Sequence, residues 1–147
     1  MSSIGVVMPV HFRDSRKIDE AHCTLIYLGE SDKVSISRPL LENAVNRLRT
    51  QCQPVMIRTR QLAVYGHGTH TVIELEDLTL RSYRVFLERE LLRDGIRSAS
   101  EYSYSPHVTI HKHAPSKNPV LPWGDFRTPA YVWVDRPVIW WKSEDSK

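Results

Sequence analysis

The apolar positions of the chain follow two different periods, and the switch between them outlines its elements. Short runs rich in β-branched and aliphatic residues fall at 4–8, 22–28, 55–62, 71–76, 107–110, 131–134 and 138–141, and these predict strands. Residues 55–62 alternate with Arg58 and Arg60, the pattern of a half-exposed strand, which residues 62–65 continue or follow with another. The turn at 66–68 then makes a hairpin with 71–76, and Asp135-Arg136-Pro137 predicts a second hairpin near the end. Elsewhere the spacing becomes helical. Ser37 is a good N-cap with Pro39 in the first turn, and Leu40, Leu41, Ala44, Val45 and Leu48 form a stripe up to Thr50. A second helix capped at Thr79 carries Leu80, Tyr83, Leu87 and Leu91 and stops at Gly95. The sum is an α+β chain of seven or eight strands and two helices. No linker-like or low-complexity stretch divides it, so residues 1–147 read as one domain of two half-domains that share a core.

One short pattern occurs twice inside this frame. His22-Cys23-Thr24-Leu25 and His107-Val108-Thr109-Ile110 are both His, any residue, Thr, aliphatic, and both lie in predicted strands. Alternate side chains of a strand share a face, so each copy offers an imidazole and a hydroxyl together, with Cys23 or Val108 turned the other way. A single copy is most simply a core histidine with a satisfied hydrogen bond. Two copies, one in each half, point to shared chemistry.

Composition narrows the classes. A chain that is 41% hydrophobic and 25% charged is an ordinary globular one, and a net charge of +3 suits an anionic ligand without requiring nucleic acid. Arginine outnumbers lysine, but Arg47, Arg49, Arg81 and Arg89 read as solvated helix faces. The loop at 11–20 holds Arg13, Arg16 and Lys17, which could reach a phosphate. Two cysteines, Cys23 and Cys52, give neither a disulfide framework nor a zinc spacing, so a cytoplasmic setting is expected. No run approaches the length of a membrane span and no signal peptide is evident, so no membrane partner is expected.

The paired tetrads resemble the signature of the 2H phosphoesterase superfamily, the LigT-like or 2′-5′ RNA ligase proteins and cyclic phosphodiesterases. The run His-Cys-Thr-Leu-Ile-Tyr-Leu-Gly at 22–29 is similar to the first family motif, and Tyr-Ser-Pro-His-Val-Thr-Ile at 104–110 to the second. The order of helix, hairpin and helix between them, and the late Val-Ile-Trp-Trp-Lys-Ser strand, follow the family over nearly the whole chain. Two departures stand out: the Pro-rich loop at 114–124, and His111 where a small residue is usual. The resemblance implies a bilobal pseudo-twofold fold, with antiparallel sheets lining a central cleft and helices outside. It implies action on a nucleotide or oligonucleotide that carries a 2′,3′-cyclic phosphate, a 2′-5′ linkage or a ring of phosphodiesters, and a monomer is expected. The short chain also resembles bacteriophage members that destroy cyclic oligonucleotide immune signals.

The chemistry fits such a substrate. Opening a phosphodiester takes one proton from the attacking oxygen and gives one to the leaving oxygen, on opposite sides of phosphorus. Two facing imidazoles do both near neutral pH, and two hydroxyls can donate to the non-bridging oxygens. His22, Thr24, His107 and Thr109 are the expected catalytic residues, with no metal and no cofactor. Tyr104, His111, Trp141 and Arg13 are the expected substrate contacts. Trp140 and Trp141 face opposite sides of their strand, and family position favours Trp141. His67-Gly68-Thr69-His70 contains another His-x-Thr, but in a turn and without ligands for a metal, while His11 and His113 read as solvent-exposed. Two other readings are a catalytically silent RNA- or nucleotide-binding module and a 2′-5′ RNA ligase.

Overall fold

A computed structural model describes residues 3–13, 18, 20–30, 35–98 and 104–142. Arg16, Lys17 and the tail from Ser143 lie outside them. The strands are β1 (Ser3–His11), β2 (His22–Glu30), β3 (Val55–Tyr65), β4 (His70–Leu75), β5 (His107–Lys112), β6 (Tyr131–Val134) and β7 (Val138–Lys142), with helices α1 (Arg38–Arg49) after β2 and α2 (Leu78–Arg93) after β4. All pair antiparallel, in the order β2-β5-β4-β3-β6-β1-β7. A further pairing of β1 with β2 closes the first six strands into a circuit. Every strand of the circuit has both neighbours, which removes the open edges that invite aggregation.

Three local results differ from the sequence expectation. First, β1 runs past Pro9 to His11, and Pro9 stands opposite His22 at the end of the β1–β2 ladder. Second, α2 starts at Leu78 rather than after Thr79, and the Asp77 carboxylate accepts from Arg81 instead of capping the helix. Third, β6 and β7 are not a hairpin. Val134 pairs with Val10 and Val138 with Val7, so both strands run along the same edge of β1 in the same direction. Residues 135–137 are a jog between them, with the Asp135 N–H donating to the Pro9 carbonyl.

Ser37 does cap α1, its hydroxyl accepting from the Leu40 N–H. The stripes Leu41, Ala44, Val45, Leu48 and Leu80, Leu87, Leu91 meet Ile4, Val6, Met8, Cys23, Leu25 and Leu28 in one buried cluster. The helices also touch each other, where Arg47 of α1 bridges Glu90 of α2 at 3.4 Å and Asp94, the C-cap of α2, at 3.0 Å. Strands β2 and β5 thus have one face sealed by the core, and the opposite face is free for chemistry.

Candidate active site

The two tetrad strands meet at a single register pair, Cys23 opposite Val108. Both side chains are fully buried, on the core face. Carried one residue each way, the antiparallel register sets His22 across from Thr109 and Thr24 across from His107, all four on the face away from the core. The pair of tetrads is therefore related by a local twofold axis through the Cys23–Val108 bridge.

The imidazoles are held by matching devices. His22 Nδ1 donates to the Glu20 carbonyl at 2.6 Å, and His107 Nδ1 donates to the Ser105 carbonyl at 2.9 Å, each two residues upstream. A carbonyl only accepts, so both rings carry their proton on Nδ1 and leave Nε2 for a substrate. Each ring also has an aromatic brace. Trp140 lies tilted on His22 at 4.9 Å between centroids, and Tyr65 meets His107 edge-on at 4.6 Å.

The surroundings of the two rings differ. The Tyr65 hydroxyl donates to Glu74 at 2.5 Å, and the Gln61 amide donates to the other carboxylate oxygen at 2.8 Å. Both bonds hold the Glu74 carboxyl below its ordinary value, and Glu74 stands opposite His107 in the β4–β5 register. Burial pushes the His107 imidazole below 6.5, its ordinary value, against the opposing pull of its carbonyl partner and of the Glu74 charge.

A cavity of about 520 Å³ opens beside the tetrads. His22, Thr109 and His111 line it with Trp140, Trp123 and Ile18, while His107 and Thr24 are not part of its lining. Of the four residues named as substrate contacts, His111 lines this cavity, and Trp141, Tyr104 and Arg13 are not in its lining. Trp141 stands opposite Ile4, on the core face, under the Arg38 guanidinium at 5.1 Å. Trp140 stands opposite Gly5, which has no side chain to cover β1, and of the adjacent pair Trp140 is the one at the cavity. Tyr104 is a brace of the core side: its hydroxyl donates to the Thr24 carbonyl at 3.1 Å and its ring lies under Arg84. Burial raises the Tyr104 hydroxyl, and pushes the adjacent Cys23 thiol up to about 11, so neither supplies an anion. Arg13 lines an adjoining cavity rather than that of His22.

His11, His70 and His113 have structural partners. His113 is not simply solvated: its Nδ1 donates to the Ala114 carbonyl, so its Nε2 accepts from the buried Thr71 hydroxyl at 2.7 Å, which in turn accepts from the Val120 N–H. Thr69 bonds Gly66 and His70 within the turn and lies outside the tetrad site. His11 lies 3.6 Å from Asp135. Among the described residues no cluster of three or more His, Cys, Asp or Glu is placed to hold a metal, and no helix is long and apolar enough to cross a membrane. Sequence reasoning missed Tyr65, Glu74 and Trp123. Their roles come from strand register and loop path, which local pattern does not carry.

No family model matches the chain, and no curated protein matches it in sequence. Solved structures do match. E. coli LigT complexed with 3′-AMP aligns at a TM-score of 0.60 and 17% identity, over 97% of this chain and 88% of that one. A crystal structure described as a phosphoesterase gives 0.59 and 14%, over 97% and 90%. The MHV ns2 PDE domain gives 0.57 and 10%, over 92% and 99%. The chain, a mixed α+β domain with its strands in a closed antiparallel circuit, has the fold of LigT and of these phosphoesterases.

Proposed function

We propose that this chain is a metal-independent phosphodiesterase that cleaves a 2′,3′-cyclic phosphate, a 2′-5′ linkage or a related nucleotide phosphodiester with His22, Thr24, His107 and Thr109. The observation that carries the reading is the Cys23–Val108 bridge, which puts both tetrads face up around one axis. The 3′-AMP in the LigT complex adds a nucleotide as the ligand class. His107, whose charged form burial disfavours, takes the proton from the attacking hydroxyl or water through Nε2. As the bond to phosphorus forms on that side, the bond to the leaving oxygen breaks on the other, and that oxygen receives a second proton that His22 must carry on Nε2 in addition to the one its Nδ1 donates to the Glu20 carbonyl. Thr24 and Thr109 donate to the non-bridging oxygens, where charge grows. A panel of 2′,3′-cyclic nucleotides, 2′-5′ oligoadenylates and cyclic oligonucleotides, with and without EDTA, tests this. Turnover of at least one class, unchanged by chelator, is expected. No turnover of any class refutes the enzyme, and loss with EDTA refutes the metal-free route.

The pH dependence follows from the same environment. The acid limb of kcat/KM reports protonation of the base and is expected below 6.5, the ordinary imidazole value. The Glu74 carboxylate favours the imidazolium form of His107, so removing its charge lowers that ring further. Glu74→Gln is therefore expected to move the acid limb to still lower pH. A limb that moves upward in this variant contradicts His107 as the base.

A further inference from the structure

Thr71 is fully buried in β4, beside the core aliphatics Val72 and Ile73. A buried hydroxyl needs partners, and this one finds both of them in the segment that leaves β5. It donates to His113 Nε2 at 2.7 Å and accepts from the Val120 N–H at 2.8 Å. His113 Nδ1 donates to the Ala114 carbonyl at 2.8 Å, which fixes the tautomer that lets Nε2 accept. Strand register brings Thr71 to this place. The β4–β5 ladder slips by one residue, so Val72 faces Thr109 while Thr71 faces His111, close to the end of β5 at Lys112.

Among the described residues no helix or strand lies between Lys112 and Tyr131. Pro115, Pro119 and Pro122 remove N–H groups from this segment, so it cannot form a regular ladder, and side-chain bonds set its path. Val120 is the point tied to β4. Pro122 and Trp123, just beyond it in the chain, line the cavity that also holds His22, Thr109 and His111. On the far side the Phe126 N–H donates to the Trp123 carbonyl at 3.1 Å, and the two rings meet edge-on at 5.4 Å. Trp123 is thus held between the Thr71 hydroxyl, acting through Val120, and Phe126.

We infer that Thr71 and His113 are positioning residues for ligand binding: they set the cleft wall at Pro122 and Trp123, and so govern how tightly the part of the ligand beyond the reacting phosphate is held. Neither residue lines the cavity. The inference rests on the catalytic reading above for what the cleft binds, and it adds residues that act on binding and not on bond breaking. Without the Thr71 hydroxyl, His113 Nε2 loses its donor and the Val120 N–H its acceptor, so the chain before Trp123 loses its tie to the sheet. The tetrad imidazoles keep their own strands and their Glu20 and Ser105 carbonyls.

The test uses the full chain, with 3′-AMP as the binding probe in calorimetry and the substrate found by the panel above for kinetics. Thr71→Val keeps the side-chain shape and removes the hydroxyl. It is expected to weaken 3′-AMP binding and raise KM by about five- to tenfold, with kcat within about twofold of wild type. Hydrogen exchange of the Val120 amide is expected to quicken about tenfold or more. Thr71→Ser keeps the hydroxyl and is expected to restore all three. His113→Ala leaves the Thr71–Val120 bond and is expected to raise KM about two- to threefold. Added to Trp123→Ala, Thr71→Val is expected to weaken 3′-AMP by less than about twofold more, because the wall it sets is gone. If Thr71→Val melts below the assay temperature, His113→Ala against Thr71→Ser carries the comparison. Wild-type affinity and KM in the folded variants overturn the inference. So does a fall in kcat as large as the rise in KM, or a wild type that does not bind 3′-AMP. Weakened 3′-AMP binding in Thr71→Val, from a wild type that turns over no substrate, keeps the positioning role and removes the catalytic reading, so the two failures are distinguishable.

Discussion

His107→Ala is expected to lower kcat/KM by about 10³-fold, and His22→Ala by a similar factor, on whichever phosphodiester the wild type cleaves. In the proposed mechanism each imidazole handles one of the two proton transfers, and among the described residues the Nδ1 partners are the Glu20 and Ser105 carbonyls. The double variant is expected to be little worse than either single one, because the two groups act as a unit. Stability should change little. The buried members of the two tetrads are Cys23, Leu25, Val108 and Ile110, while His22 and His107 lie on the other face and are only half-buried. Thr24→Ala and Thr109→Ala remove one neutral hydrogen bond each and are expected to cost about tenfold. The comparison is made from kinetics and thermal melts of the same preparations. Full turnover by either folded histidine variant removes these residues from the chemistry.

Gly68→Val is expected to destabilise the protein by about 3 kcal/mol and lower the melting temperature by roughly 6–12 °C. Gly68 has φ +87°, which a β-branched residue resists, and a Cβ there would stand 2.7 Å from the Ser116 carbonyl oxygen. That contact exists because the Pro-rich segment is tied to the β3–β4 turn. The His113 N–H donates to the Thr69 carbonyl and the Ser116 N–H to the Gly68 carbonyl, both at 2.9 Å. The same segment continues to Pro122 and Trp123 in the cleft wall. KM is therefore expected to rise more than kcat falls, since the wall shifts while the tetrads stay on their strands. A melting temperature within a degree or two of wild type, with KM unchanged, would show that the segment is not held this way.

Much of this arrangement is readable without coordinates, and the parts that are not have identifiable causes. The tetrads and the stripes of both helices follow from periodicity, because each element buries one face against a shared core. The jog at 135–137 looks like a turn in sequence because Asp, Arg and Pro suit both; only the ladder along β1 distinguishes a reversal from a continuation. Alternation places Trp140 and Trp141 on opposite faces, yet which face is which depends on Gly5 and Ile4 across the ladder. Tyr104 has the composition of a stacking residue, but its hydroxyl is committed to the Thr24 backbone. Tyr65 and Glu74 act on His107 only through a hairpin register that no local signal encodes.

The axis through Cys23 and Val108 has a consequence for polarity. A phosphate turned end for end would meet the same four groups, so the quartet itself cannot tell the 5′ side of a linkage from the 3′ side. That choice falls to the unlike flanks: Trp140 and the open hollow near His22, against Tyr65 and its tethered carboxylate near His107. Redirecting such a protein toward a different linkage is thus a matter of rebuilding one flank while the central quartet stays as it is.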